Sequence, residues 1–144
     1  MIVYAESSAV LAWLLGEPAA EVVRQALAGA ERVVASALTP LECQRALARG
    51  VATGQVSGAA AGAAARLLAG ASAGWALMEM TGSALDRART AFPSEPVRTL
   101  DAIHLAAAAE FRQALGPLTM LSLDERIRAN GRALGLSLAP DPAR

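Results

Sequence analysis

Short apolar runs of β type alternate with helical patterns along almost the whole chain. Ile2-Val3-Tyr4, Arg32-Val33-Val34-Ala35, Trp75-Ala76-Leu77-Met78, Leu118-Thr119-Met120-Leu121 and Leu136-Ser137-Leu138 read as strands. Helical periodicity fills the gaps from Ala9 to Leu15, Ala19 to Ala28, Pro40 to Arg49, Ala59 to Leu68, Ser83 to Ala91, Leu100 to Leu115 and Glu125 to Leu134. Strands separated by helices need right-handed crossovers, which predicts an α/β fold with a parallel sheet covered on both faces. Gly54 to Gly58 and Phe92 to Pro96 read as turns, and Pro140-Asp141-Pro142 as a frayed tail. No internal repeat or second domain is visible. The alanine-rich stretch 59–71 is a helix former rather than a disordered tract.

Composition adds exclusions more than assignments. With 144 residues the chain has the length of one domain, and its 54% hydrophobic share reflects abundant alanine. Apolar runs are interrupted by Arg66, Asp101 and His104, so none spans a membrane. The N-terminus lacks a basic segment and carries Glu6 in its apolar stretch, unlike a signal peptide. Cys43 is the single cysteine, so no internal disulfide forms, which suits the cytoplasm. Thirteen basic and 13 acidic residues cancel, so any contact with nucleic acid must be local.

Every basic residue is arginine. Without lysine there is no Walker A loop and no Schiff-base chemistry. A receiver domain that needs a lysine beside its acids is excluded for the same reason. His104 and Cys43 alone cannot build the usual zinc sites. A metal held within one chain would take mostly oxygen ligands, which points to Mg²⁺ or Mn²⁺.

The acids that could supply them fall at telling places. Glu6 follows the first strand, Glu42 lies soon after the second, and Asp124 follows the fourth. In an open parallel sheet the carboxyl ends of the strands share one edge, where ligands bind. Asp101 opens the long sixth helix and joins the others if that helix starts at the same edge. Each acid also has a structural explanation. Thr39-Pro40-Leu41-Glu42 and Ser122-Leu123-Asp124-Glu125 read as capping boxes, and Asp101 follows a threonine N-cap at Thr99. Carboxylates that converge repel one another unless a cation neutralises them.

Other features resolve into structure. Gly70-Ala71-Ser72-Ala73-Gly74 matches a nucleophile-elbow pattern, but it runs from helix to strand, the reverse of the elbow. His104 lies on the apolar stripe of its helix, one turn from Asp101, and reads as a core histidine with a hydrogen-bond partner. Trp13, Trp75 and Phe111 read as packing residues rather than a base-stacking platform, and Cys43 as inert. Arg45 and Arg49 lie on the Glu42 side of their helix, and Arg98, Arg126 and Arg128 flank the other helix starts. They read either as solvated pairs such as Asp124–Arg128 or as phosphate contacts at the rim of the acidic edge.

Val3-Tyr4-Ala5-Glu6-Ser7-Ser8-Ala9, Leu41-Glu42, Arg98-Thr99-Leu100-Asp101-Ala102-Ile103-His104-Leu105-Ala106 and Ser122-Leu123-Asp124-Glu125-Arg126 together resemble the successive motifs of PIN-domain nucleases, in particular VapC toxins. The resemblance covers nearly the whole chain. It implies a three-layer α/β/α sandwich with a central, mainly parallel sheet of about five strands, as one PIN-like domain over 1–139 with a short tail at 140–144. It implies Mg²⁺- or Mn²⁺-dependent endoribonuclease activity, an RNA substrate, a small antitoxin partner and a homodimer. By position it makes Glu6, Glu42, Asp101 and Asp124 the catalytic and metal-binding acids. Ser8, Arg45 and Arg126 become candidate substrate contacts. The first acid of the family is usually aspartate, and here it is Glu6. Its extra methylene moves the carboxylate by more than about 1 Å, which an octahedral magnesium site tolerates poorly. The competing expectation is a non-catalytic PIN-like module that binds RNA or protein.

Overall fold

The computed structural model describes residues 1–141. The elements run β1 (Ile2–Ala5), α1 (Ser7–Leu14), α2 (Ala20–Ala28), β2 (Arg32–Ser36), α3 (Leu38–Ala52), α4 (Gly58–Ser72), β3 (Ala76–Met78), α5 (Gly82–Ala88), α6 (Thr99–Leu115), β4 (Leu118–Leu121), α7 (Glu125–Ala133) and β5 (Ser137–Ala139). All strand pairs are parallel, in the order β3-β2-β1-β4-β5. The first strand to be made is therefore the centre of the sheet. The chain winds outward from it in both directions, as crossover helices require.

Alternation along the central strands divides the core in two. Tyr4, Val34 and Met120 are aligned in register and pack with Ala102, Leu105, Ala106 and Ile127 of α6 and α7. Ala5 and Ala35 point the other way, into Val10, Leu14, Cys43, Leu47 and Leu68 of α1, α3 and α4. Val3 and Leu121 share that second face with Ala9 and Val23. This period of two, buried on both faces, is why the strands read as apolar runs. The alanines of α6 bring its backbone close to the sheet. Its end is set by Gly116, whose φ of 90° is a conformation only glycine adopts freely.

The expected elements are all present; α3 and α4 run on to Ala52 and Ser72, α5 stops at Ala88 short of the expected Ala91, and the differences that bear on the acids lie at helix starts. The helix expected from Pro40 begins at Leu38, with Ala37 as an N-cap that makes no side-chain bond. Thr39 is not its cap: the hydroxyl donates to the Ala5 carbonyl at 2.8 Å instead. In α7 the N-cap is Asp124, accepting from the backbone of Arg126 and Ile127, and not Ser122. In α6 the N-cap is Arg98, again without a side-chain bond, and Thr99 is already helical. The Gly70–Gly74 segment does close a helix, since α4 ends at Ser72. Of the expected C-terminal tail, Pro142 and the residues after it lie outside the described residues. Pro140 is tied down, because its carbonyl accepts from Arg128.

Arg128 corrects another expectation. It does not form a solvated pair with Asp124; it is 4% exposed and its guanidinium donates to the carbonyls of Ser122, Ala139 and Pro140. A buried guanidinium needs such acceptors to offset its desolvation. These three bonds join the end of β4 to the end of β5.

Candidate active site

At the end of β1 the chain turns directly into α1, and Glu6 is the residue between them. Its backbone is extended (φ −89°, ψ 150°), and its side chain caps the helix by accepting from the Ser8 amide at 3.1 Å. The second carboxylate oxygen accepts from the hydroxyls of Ser8 and of Ser122, the latter at 2.7 Å. Ser8 accepts in turn from the Leu123 amide at 2.9 Å, and Ser122 from the Asp124 amide at 3.1 Å. The turns after β1 and β4 are thus laced together around a carboxylate only 4% exposed. Ser8, expected beside the substrate, has its hydrogen engaged by Glu6.

Glu42 stands on α3 across the edge. Its Oε1 accepts from the Ser7 hydroxyl at 2.8 Å and lies 2.5 Å from Nε2 of His104. Burial, the largest influence on this carboxyl, would raise its pKa. The hydrogen bond from His104, the attraction of that ring when charged and the Ser7 hydroxyl outweigh it, so Glu42 titrates below its ordinary value. His104 is 1% exposed and also bonded to Tyr4 at 2.8 Å, as expected of a core histidine with a partner.

Asp101 begins the helix that carries His104, and α6 does start at the acidic edge. Glu42, Arg98, Thr99, Leu100 and Asp101 line one cleft of about 340 Å³. Arg98, itself exposed, reaches Asp101 at 3.4 Å. Asp124 does not line this cleft; its Oδ1 is occupied in capping α7. Arg45 is exposed on α3. Arg126 lines a separate hollow with Ser94, Glu95 and Pro96.

The four acids therefore share an edge without forming a single cluster. Among the described residues no group of three or more His, Cys, Asp or Glu side chains is assembled to hold a metal ion. The fields of Glu6 and Glu42 nevertheless overlap. Both raise the pKa of Tyr4, whose burial already lifts it well above the usual phenol value against the bond from Ser36. Burial pushes the Cys43 thiol up to about 12, with the charges of Glu42 and then Glu6 adding to it. The donor set is carboxylate and hydroxyl oxygen with no lysine nearby, which suits a hard divalent cation in kind.

The PIN domain family matches residues 3–134, from the first strand to the end of α7. The chain belongs to the PIN-domain family. It is 34% identical over 136 residues to Ribonuclease VapC46 of Mycobacterium tuberculosis, covering 94% of this chain and 95% of that protein, which makes it a PIN-domain protein of the VapC type. The crystal structure of PAE2754 from Pyrobaculum aerophilum shares the fold, with a TM-score of 0.58 at 17% identity over 95% of this chain and 81% of that one.

Several residues that shape this PIN-domain site carry no signal in the sequence pattern. Tyr4 and Ser36 sit in strands as ordinary core positions, yet both enter the chain of bonds that reaches Glu42. Ser7 and Ser122 each follow a strand end closely, and that position at the sheet's carboxyl edge is the one cue that could have marked them.

Proposed function

We propose that this chain is a metal-dependent endoribonuclease and the toxin of a type II toxin–antitoxin pair. One observation carries the reading: Glu42 and Asp101 line a common cleft at the carboxyl edge of the sheet, in a PIN-domain chain one-third identical to a named ribonuclease. Asp101 and Glu42 would hold Mg²⁺ or Mn²⁺ there, with Glu6 and Asp124 as the further acids of the edge. A bound divalent ion supplies an acidified water and charge stabilisation at the scissile phosphate. The protein's own part is to place the carboxylates, keep Glu42 ionised through His104 and Ser7, and present cationic groups to the backbone. Arg45, Arg98 and Arg126 are the exposed arginines offered for phosphate contact, and Ser8 acts through its hold on Glu6.

RNA is the proposed substrate, a small antitoxin and a second copy of the chain the proposed partners, and the cytoplasm the proposed compartment. No helix among the described residues is long and apolar enough to cross a membrane. A second reading is favoured by a specific observation: Glu6 makes three hydrogen bonds within the fold. A copy whose first acid stays so engaged would bind RNA or protein without cutting.

The test is RNA cleavage in titrations of Mg²⁺ and Mn²⁺ by the wild type and Asp101→Asn. Cleavage that needs the metal and falls at least about a hundredfold in the variant, with the fold retained, supports the ribonuclease. Full activity in the variant sinks the assignment. RNA binding without cleavage or metal-induced thermal stabilisation selects the second reading.

A further inference from the structure

Tyr4, His104 and Glu42 form one buried line of hydrogen bonds, and the positions of its hydrogens can be worked out from both ends. At one end the Tyr4 oxygen accepts from the Ser36 amide at 3.2 Å, a group that can only donate. The phenolic hydrogen then needs an acceptor in a fully buried position. Among the described residues its remaining hydrogen-bond neighbour is Nδ1 of His104, at 2.8 Å. Nδ1 must therefore be bare, which puts the imidazole hydrogen on Nε2.

The other end gives the same answer independently. Nε2 faces Oε1 of Glu42 at 2.5 Å and the Ser7 oxygen at 3.2 Å, while Ser7 donates its own hydrogen to Oε1. A hydrogen on Nε2 meets acceptors there. A bare nitrogen would instead oppose a carboxylate oxygen lone pair to lone pair. Oε1 is thereby satisfied twice, and Oε2 makes no hydrogen bond among the described residues.

We propose that Tyr4 is a positioning residue: by donating to Nδ1 it fixes His104 as the Nε2–H tautomer, which with Ser7 clamps Oε1 of Glu42 and leaves Oε2 for the cleft shared with Asp101. Its functional half rests on the ribonuclease reading; the tautomer does not. Histidines that orient carboxylates or metals are commonly fixed in this way by the group on their other nitrogen. The arrangement also explains why a lone tyrosine interrupts the aliphatic face of the central strand. A phenylalanine would fill the same space but take from the Ser36 amide this acceptor and from Nδ1 its donor.

The chain contains one histidine, so ¹⁵N-histidine labelling of this 144-residue chain reports this ring alone. At about pH 7.5 the wild type is expected to show Nδ1 in the pyridine-type range and Nε2 in the pyrrole-type range. A hydrogen on Nδ1, or on both nitrogens, overturns the proposal without reference to any variant. Tyr4→Phe is expected to shift Nδ1, now without its donor, while Glu42 keeps the hydrogen on Nε2, and Glu42→Gln to move the Nε2–H proton resonance; unchanged spectra in both overturn it. In RNA cleavage Tyr4→Phe is expected to lower kcat about tenfold with KM within about twofold. A raised KM at unchanged kcat overturns the positioning role. The expected spectrum in a protein that cleaves no RNA supports the tautomer assignment and counts against the ribonuclease reading instead.

Discussion

Ser122 donates a hydrogen bond to Glu6 at 2.7 Å across 116 residues of sequence, and both side chains are buried. The bond ties the turn after β1 to the turn after β4, the two neighbouring strands at the middle of the acidic edge. The same hydroxyl accepts from the Asp124 amide, so Ser122 sets the distance between the two helix-capping acids.

Replacing Ser122 with alanine removes both bonds and leaves a buried carboxylate one donor short. We expect a loss of about 1–3 kcal/mol in stability, read by urea denaturation with an unchanged slope. A variant as stable as the wild type would mean that Glu6 does not depend on Ser122.

Arg128 is a second fastening of the same edge. Alanine at this position removes the guanidinium bonds to the carbonyls of Ser122, Ala139 and Pro140, of which Ala139 keeps the Ser122 amide as a donor. Hydrogen bonds from a charged group weigh more than neutral ones, so a loss of about 3 kcal/mol is expected. Lysine should recover only part of it, because a single ammonium cannot reproduce the planar fork. Equal midpoints for Arg128→Lys and the wild type would contradict the geometric argument.

The sequence pattern was a sound guide to the fold and a poorer one to the site, for a physical reason that Thr39 and Ser122 share. Period-two runs marked the strands because the sheet is covered on both faces, as the opposite packing of Tyr4 and Ala5 shows. Alternation with helices then placed Glu6, Glu42 and Asp124 at one edge by topology. Local spacing also assigned Thr39 and Ser122 as helix caps. Both hydroxyls are instead drawn to partners distant in sequence, Ala5 and Glu6. Short motifs describe only the partners a residue has nearby. The Tyr4–His104 bond spans 100 residues and left no trace in spacing.

Alkaline conditions test the buried protons of this region. Tyr4 is held well above its ordinary value and Cys43 near 12, whereas both titrate near their usual values once unfolded. Raised folded-state values mean that the unfolded state loses its protons first. The stability from these groups is complete below the unfolded pKa values and falls as pH rises through about 9 to 12. Each group can contribute a slope of at most about 1.4 kcal/mol per pH unit. Chemical denaturation across that range should show the decline, with a shallower one in Cys43→Ala. The thiol should also react slowly with alkylating reagents at neutral pH until the protein unfolds. Rapid alkylation of the native protein would contradict both statements.

Glu6→Asp tests which of the two functional readings applies. The shorter acid keeps a good N-cap and can still accept from the Ser8 amide, so α1 should form normally. Its carboxylate is drawn back by one methylene, which takes it out of easy reach of the Ser122 hydroxyl. The thermal midpoint should therefore fall, as it does in Ser122→Ala, because the same bond is lost. If the three hydrogen bonds on Glu6 are what compromises a compact magnesium site, releasing that oxygen should help the metal even as it weakens the fold. We expect cleavage supported by Mg²⁺ to rise relative to Mn²⁺ by about tenfold, the scale on which outer contacts tune metal sites. Loss of stability with an unchanged metal preference would show that Glu6 is a fastening of the edge and nothing more, leaving the Glu42–Asp101 cleft to carry the chemistry.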